Sequence, residues 1–262
     1  MRIIILKDYD EISKRAASIV LDKIHSKPHF VLGLDVSNTL IGTYQELINM
    51  NQEERLDFSR VVTFNLDEYL GLSATHPQSC RFFMDTHLFN HINIDKRNIY
   101  FPNGLTKDPQ SLCRRYEDLI REVAGIDLQL LAVGKNGHIG FNQPGSSLSS
   151  RSRIKTLPEE MFQDRMKNFT NPENVPRFAM TMGLGTIMEA RMCVMLASGE
   201  RKAKALVKAL EGPVSSSMPA SMLQIHPNVL ILADEEAAAD LKQKDYYLYA
   251  EKMTDQLDCA QI

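Results

Sequence analysis

Leu128-Gln-Leu-Leu-Ala-Val-Gly-Lys-Asn-Gly-His-Ile-Gly-Phe-Asn-Gln-Pro-Gly-Ser-Ser147 opens on a largely apolar run, Leu128 to Val133, and breaks at Gly134 into a glycine-studded turn. A run of that length and make-up predicts a parallel strand buried on both faces. Ligands of open α/β sheets bind beyond the carboxyl ends of the strands. Here that end carries His138, with Gly137 on one side and Gly140 close on the other. Glycines let the backbone turn sharply and leave room for a ligand beside it. By position alone, His138 fits a satisfied loop histidine as well as a functional one.

Further strand-like runs lie on either side of this stretch: Ile3–Leu6, Phe30–Leu34, Val61–Asn65, Phe178–Thr181, Cys193–Ala197 and Val229–Leu232. Between them, Tyr9–His25, Ile41–Met50, Cys113–Val123, Lys202–Leu210 and Glu235–Lys244 carry the mixed apolar and charged spacing of amphipathic helices. Alternation of this kind predicts an α/β fold, a mainly parallel sheet with helices on both faces. Residues 158–176, rich in Met, Asn, Asp and Pro, interrupt the rhythm just after the His138 loop. A long irregular insert there reads either as a lid or as a plain surface excursion.

The 262 residues, 44% hydrophobic, suffice for one large domain spanning 1–262. A net charge of −3 offers no basic excess for nucleic acid. No apolar run approaches a membrane span, and Met1–Leu6 is too short for a signal peptide, so a cytoplasmic protein is expected. Cys80, Cys113, Cys193 and Cys259 are scattered without a Cys-x-x-Cys pair, which predicts buried or idle thiols and no metal or redox motif.

Two other strand ends carry chemistry. Phe30-Val-Leu-Gly-Leu-Asp-Val-Ser-Asn-Thr-Leu-Ile-Gly-Thr-Tyr44 reads as strand, polar turn and helix, a natural phosphate seat, although Asn38 or Thr39 as a simple helix cap explains it as well. Phe64-Asn-Leu-Asp-Glu-Tyr-Leu-Gly71 brings the adjacent carboxylates of Asp67 and Glu68 to the same edge, suited to acid–base work or to capping a helix.

The His138 loop resembles the signature of the glucosamine-6-phosphate deaminase (isomerase) family, Gly-x-Asn/Asp-Gly-His-Ile-Gly/Ala-Phe-Asn-Glu-Pro-Gly, matching at Gly134, Asn136, Gly137, His138, Ile139, Phe141, Asn142, Pro144 and Gly145. Gln143 stands where the family has Glu. The Asn-Leu-Asp-Glu-Tyr string is retained in full, and Phe178-Ala-Met-Thr-Met-Gly183, Glu211-Gly-Pro-Val and Pro219-Ala-Ser221 match landmarks expected to lie outside the site. The likeness runs to about Tyr249 and identifies the chain as a divergent member. It implies a single modified Rossmann-like domain, a homo-oligomer of hexameric type, and a sugar-phosphate substrate with neither metal nor organic cofactor. The implied activity is conversion of glucosamine 6-phosphate and water into fructose 6-phosphate and ammonia. Another amino-sugar phosphate, such as galactosamine 6-phosphate, or a weakly catalytic binding paralogue are its rivals.

The same likeness implies roles. Asp67 is the base between C2 and C1, and His138, held by Asn136 and Gln143, assists ring opening. Ser37, Asn38, Thr39, Glu68, Gly137, Lys202 and a lid cation, Lys167 or else Arg165, contact substrate. Taken alone, Lys202 fits a solvated helix lysine equally well. Ser146, Arg153 and Lys155 match an allosteric site, or else form a solvated polar face. The phosphate turn departs from the family at Asp35, Val36, Ser37, Asn38 and Leu40. A carboxylate about 4 Å from a phosphate oxygen repels it by up to roughly 4 kcal/mol at an effective dielectric near 20, so the direction Asp35 faces matters more than the lost glycines. An amide at 143 holds the imidazole network but adds no charge to stabilise its cation, which predicts weakened ring opening or a changed substrate.

Overall fold

The computed structural model describes residues 1–260 apart from Pro28, Asn168 and Thr170, and without the side chains of Asp164, Arg165, Pro172, Asp255, Asp258, Cys259 and Ala260. The expectations for Arg165 and Cys259 therefore lie outside the described residues. In chain order the elements are β1 (Arg2–Leu6), α1 (Tyr9–Ser26), β2 (Val31–Leu34), α2 (Ile41–Gln52), β3 (Val62–Asn65), β4 (Asp67–Tyr69), α3 (Cys80–His87), β5 (Ile99–Tyr100) and α4 (Pro109–Glu122). There follow β6 (Leu128–Ala132), β7 (Arg153–Thr156), α5 (Glu159–Met166), β8 (Phe178–Thr181), α6 (Leu184–Met188), β9 (Cys193–Ala197), α7 (Ala203–Leu210), β10 (Val229–Asp234) and α8 (Lys244–Ala260).

Seven strands form one sheet in the order β1-β10-β9-β6-β2-β3-β5, every pair parallel. Side chains of β6 alternate between two cores: Leu128 and Leu130 pack with Leu32, Leu196 and Leu232, whereas Leu131 and Val133 pack with Phe64, Met195 and Ile231. Burial on both faces is why these strands read as apolar runs. From β2 the chain builds outward through β3 to β5, then returns to lay β6 on the other side of β2 and continues to β9 and β10. The reversal between β2 and β6 is the switch point at which a crevice opens. These two strands share only the pairs Leu32↔Leu128 and Gly33↔Gln129.

A second, three-stranded sheet, β4-β8-β7, is antiparallel. Phe178–Thr181 is a strand as expected, but it belongs here and not to the parallel sheet. Leu66 joins the two layers: its N–H donates to Leu34 O in one and its carbonyl accepts from Met182 N in the other. Asp67 is thus the first residue past the junction.

Two further expectations change. Residues 235–240 form turns, and the last helix begins at Lys244, because the Glu211 carboxylate accepts the Lys242 and Gln243 N–H groups and fixes its start there. The insert at 158–176 is not wholly irregular, since it contains α5. Cys80, Cys113 and Cys193 are buried thiols that form no disulfide among the described residues. Among the described residues, no helix is long and apolar enough to cross a membrane.

Candidate active site

A cavity of about 380 Å³ opens at the carboxyl ends of the parallel strands, lined among others by Asp35, Ser37, Asp67, His138 and Lys202. That volume lies within the usual range for small-molecule sites. The side chains come from four places: the turn after β2, the junction into β4, the loop after β6 and the turn before α7.

Asp67 is 4% exposed. Its Oδ1 accepts from the Thr181 hydroxyl at 2.9 Å, across the β4–β8 pair. Burial, then the nearby Asp35 charge, pushes its pKa well above the usual carboxylate range. The glycine at 140 makes this position available: φ is +54°, and a Cβ there would stand 2.9 Å from Asp67 Oδ1.

His138 is held by an amide relay. Asn136 Nδ2 donates to Gln143 Oε1 at 3.0 Å, which turns Asn136 Oδ1 toward the histidine, 2.7 Å from Nδ1 and 3.2 Å from its backbone N. Because Oδ1 can only accept, Nδ1 carries the proton and Nε2 keeps its lone pair. Desolvation first, and Lys202 second, bring the imidazole down to a pKa of about 4, so the ring is neutral at pH 7. Gly134 leaves the space for that ring, since a Cβ there would fall 2.0 Å from Cε1. Gly137, at φ +81°, similarly leaves room for Met218, and its carbonyl accepts from Ala220 N at 2.9 Å.

Lys202 Nζ donates to Val133 O at 2.6 Å, which aims the ammonium at the end of β6. Burial lowers its pKa, and Lys135 adds to that, while Asp35 opposes both. Asp35, 3% exposed, faces the cavity floor, and its Oδ2 accepts from Ala132 N at 2.9 Å where β2 and β6 part. Among the described residues, no cluster of three or more His, Cys, Asp or Glu side chains is placed to hold a metal ion.

The model of the family described as glucosamine-6-phosphate isomerases/6-phosphogluconolactonase matches residues 8–232. The chain belongs to that family. It is 47% identical, over 94% of its length and 97% of the relative's, to a glucosamine-6-phosphate deaminase of Thermoanaerobacter pseudethanolicus. A Clostridium perfringens protein of the same name is 48% identical over 92% of this chain and 100% of its own. Among solved structures, a monomeric glucosamine-6-phosphate deaminase is 43% identical, with a TM-score of 0.87 over 92% of this chain and 100% of that one. A Trypanosoma cruzi 6-phosphogluconolactonase, 18% identical with a TM-score of 0.71 over 92% and 97% of the two chains, shares the fold.

Not all the residues singled out by the family likeness meet in the cavity. Ser37 lines it, but its hydroxyl accepts from Thr39 N, and Asn38 and Thr39 lie outside the lining. Glu68 lies outside it as well. Its Oε1 accepts from Tyr69 N and Cys80 N and its Oε2 from Arg81 N, so the carboxylate caps α3 instead of reaching for a ligand. Lys167 is exposed and does not line the cavity, whereas Met161 of α5 does. Ser146, Arg153 and Lys155 are also away from it. Ser146 Oγ and Arg153 Nη2 are buried without a hydrogen-bond partner among the described residues. Two sequence landmarks expected outside the site instead support it: Thr181 holds Asp67, and the segment from Met218 to Ser221 braces Gly137. Their signal was the family match alone, because neither a lone threonine nor a methionine declares a role.

Proposed function

We propose that this chain converts glucosamine 6-phosphate and water into fructose 6-phosphate and ammonia by aldose–ketose isomerisation and deamination. The observation that carries the reading is the meeting of Asp67, His138 and Lys202 in one cavity, in a chain 47% identical along nearly its whole length to a named deaminase. Neutral His138 starts with a free Nε2 lone pair. It takes the O1 proton of the cyclic sugar and returns it to the ring oxygen, which opens the ring. Asp67 then removes the C2 proton of the open chain and delivers a proton to C1, giving a C2 imine. Water adds to that imine and ammonia leaves. A dry carboxylate suits this work because desolvation raises its basicity. Lys202 holds the phosphate, and the amide pair Asn136 and Gln143 orients the imidazole.

Residues 158–176 act as a lid of a single domain, supported by Met161 in the cavity wall. Ser146, Arg153 and Lys155 form an effector site for a sugar phosphate, supported by the unpartnered polar atoms of the first two. The protein works in the cytoplasm as a homo-oligomer, hexameric by resemblance. The solved relative at 43% identity is described as monomeric, and sedimentation velocity decides between the two states.

The test is ammonia and fructose 6-phosphate release from glucosamine 6-phosphate, with galactosamine 6-phosphate as control. Asp67→Asn is expected to lower kcat by about 10²–10⁴-fold. Turnover of neither sugar by folded protein would refute the proposal.

A further inference from the structure

The cavity lining holds a carboxylate and an ammonium on either side of the end of β6. Asp35 is anchored on the N–H of Ala132 and Lys202 on the carbonyl of Val133, consecutive residues at the end of β6. Both line the cavity, and Asp35 is buried. Thus the cation assigned to the substrate phosphate already has an anionic neighbour, and a phosphate drawn to Lys202 approaches Asp35 too. We infer that Asp35 selects the charge state in which substrate binds: the phosphate end is accepted beside Lys202 when the Asp35 carboxyl carries a proton. The inference rests on the reading of Lys202 as the phosphate-holding cation.

The surroundings agree. Burial raises Asp35 to a pKa of about 6, opposed by the backbone N–H groups of Ala132 and Val36 and by Lys202. From α2, Tyr44 Oη donates to the Asp35 carbonyl at 2.5 Å. From β4 comes the buried Asp67, whose proton affinity is raised by burial and then by the Asp35 charge. The His138 ring lines the same cavity and is neutral at pH 7, while Lys135 acts on Lys202 from outside the lining. Glu68 is turned away onto α3. An ionised Asp35 therefore offsets the Lys202 charge, and an incoming dianion raises the proton affinity of Asp35 further. Proton uptake by Asp35 removes the repulsion and leaves a donor for a phosphate oxygen.

Asp35→Asn keeps the acceptor for Ala132 N and removes the charge, so it separates a structural role from an electrostatic one. The KM of wild type and variant for glucosamine 6-phosphate is compared from about pH 5 to about pH 8, with inorganic sulfate as a competing dianion that does not titrate in this range. The wild-type-to-variant ratio of KM, and of the sulfate inhibition constant, is expected to climb toward about tenfold per pH unit above pH 6. A ratio that stays level across the range overturns the inference. Calorimetry of sulfate binding to the wild-type protein near pH 7.5, run in two buffers of different ionisation enthalpy, needs neither turnover nor the variant to fold. Uptake approaching one proton supports the inference, and none overturns it. Absence of turnover with proton-linked sulfate binding intact would count against the proposed reaction and not against Asp35.

Discussion

At the scale of single residues, the site is a set of ordinary side chains whose properties come from what surrounds them. His138 meets the amide of Asn136 where a carboxylate would favour its cation, and burial, then Lys202, brings its pKa down to about 4. Gln143→Glu would still accept from Asn136 Nδ2 and would bring a negative charge to the relay. The His138 pKa is expected to rise, with turnover at pH 7 up by about 2–10-fold. NMR titration of the imidazole alongside kcat checks both, and an unchanged kcat with a raised pKa would show that ring opening does not limit the rate. Gly134→Ala places a methyl within 2.0 Å of the imidazole and must move it. A misplacement on the order of 1 Å costs about 10²-fold in kcat, and steady-state kinetics beside a thermal melt shows whether the loss is catalytic. The sequence made His138 and Asp67 legible because family spacing carries them. It could not show which way Asp35 points, since that depends on β2 and β6 parting after two paired residues.

At the scale of elements, six of the seven parallel strands were readable because their runs are apolar, whereas β5, two residues at the sheet edge, was not. Of the short second sheet, β8 was readable as a strand but β4 and β7 were not. Arg153-Ile-Lys-Thr156 has half-exposed charged residues and pairs only with β8, and Asp67–Tyr69 reads as a catalytic string before it reads as a strand. The start of α8 escaped for another reason, because Glu211, from the end of α7, sets it through tertiary contact. Glu68 does the same for α3 by accepting from the N–H groups of Cys80 and Arg81, while it also accepts from Tyr69 N. Glu68→Gln replaces one acceptor oxygen by a donor facing those groups. A loss of about 1–3 kcal/mol is expected, seen as a melting temperature several degrees lower, with a smaller effect on KM than Lys202→Ala. A variant as stable as wild type, with KM raised instead, would return Glu68 to the substrate.

At the scale of the whole molecule, a strongly buried carboxylate at the cavity floor is a stability cost accepted near neutral pH. Asp35 ionises near the ordinary aspartate value of 3.8 in the unfolded chain and at about 6 in the folded one. Its favourable contribution is therefore present below pH 3.8, is lost as pH rises through about 6, and stays lost above that. Asp35→Asn is expected to melt higher than wild type at pH 7.5, by the order of 1–3 kcal/mol, and to match it near pH 4. A gap that is the same at both pH values would mean that Asp35 does not titrate on unfolding as its burial requires.

The central claim is that Asp67 moves a proton from C2 to C1 in a pocket opened at the β2/β6 reversal. It is tested most directly with glucosamine 6-phosphate deuterated at C2, followed by NMR as ammonia is released. Fructose 6-phosphate with hydrogen or deuterium newly delivered to C1 is expected, with a primary isotope effect on any step limited by C2–H cleavage and loss of both product and label movement in Asp67→Asn. Ammonia released with deuterium still on C2 would mean direct displacement of the amine and would contradict the account.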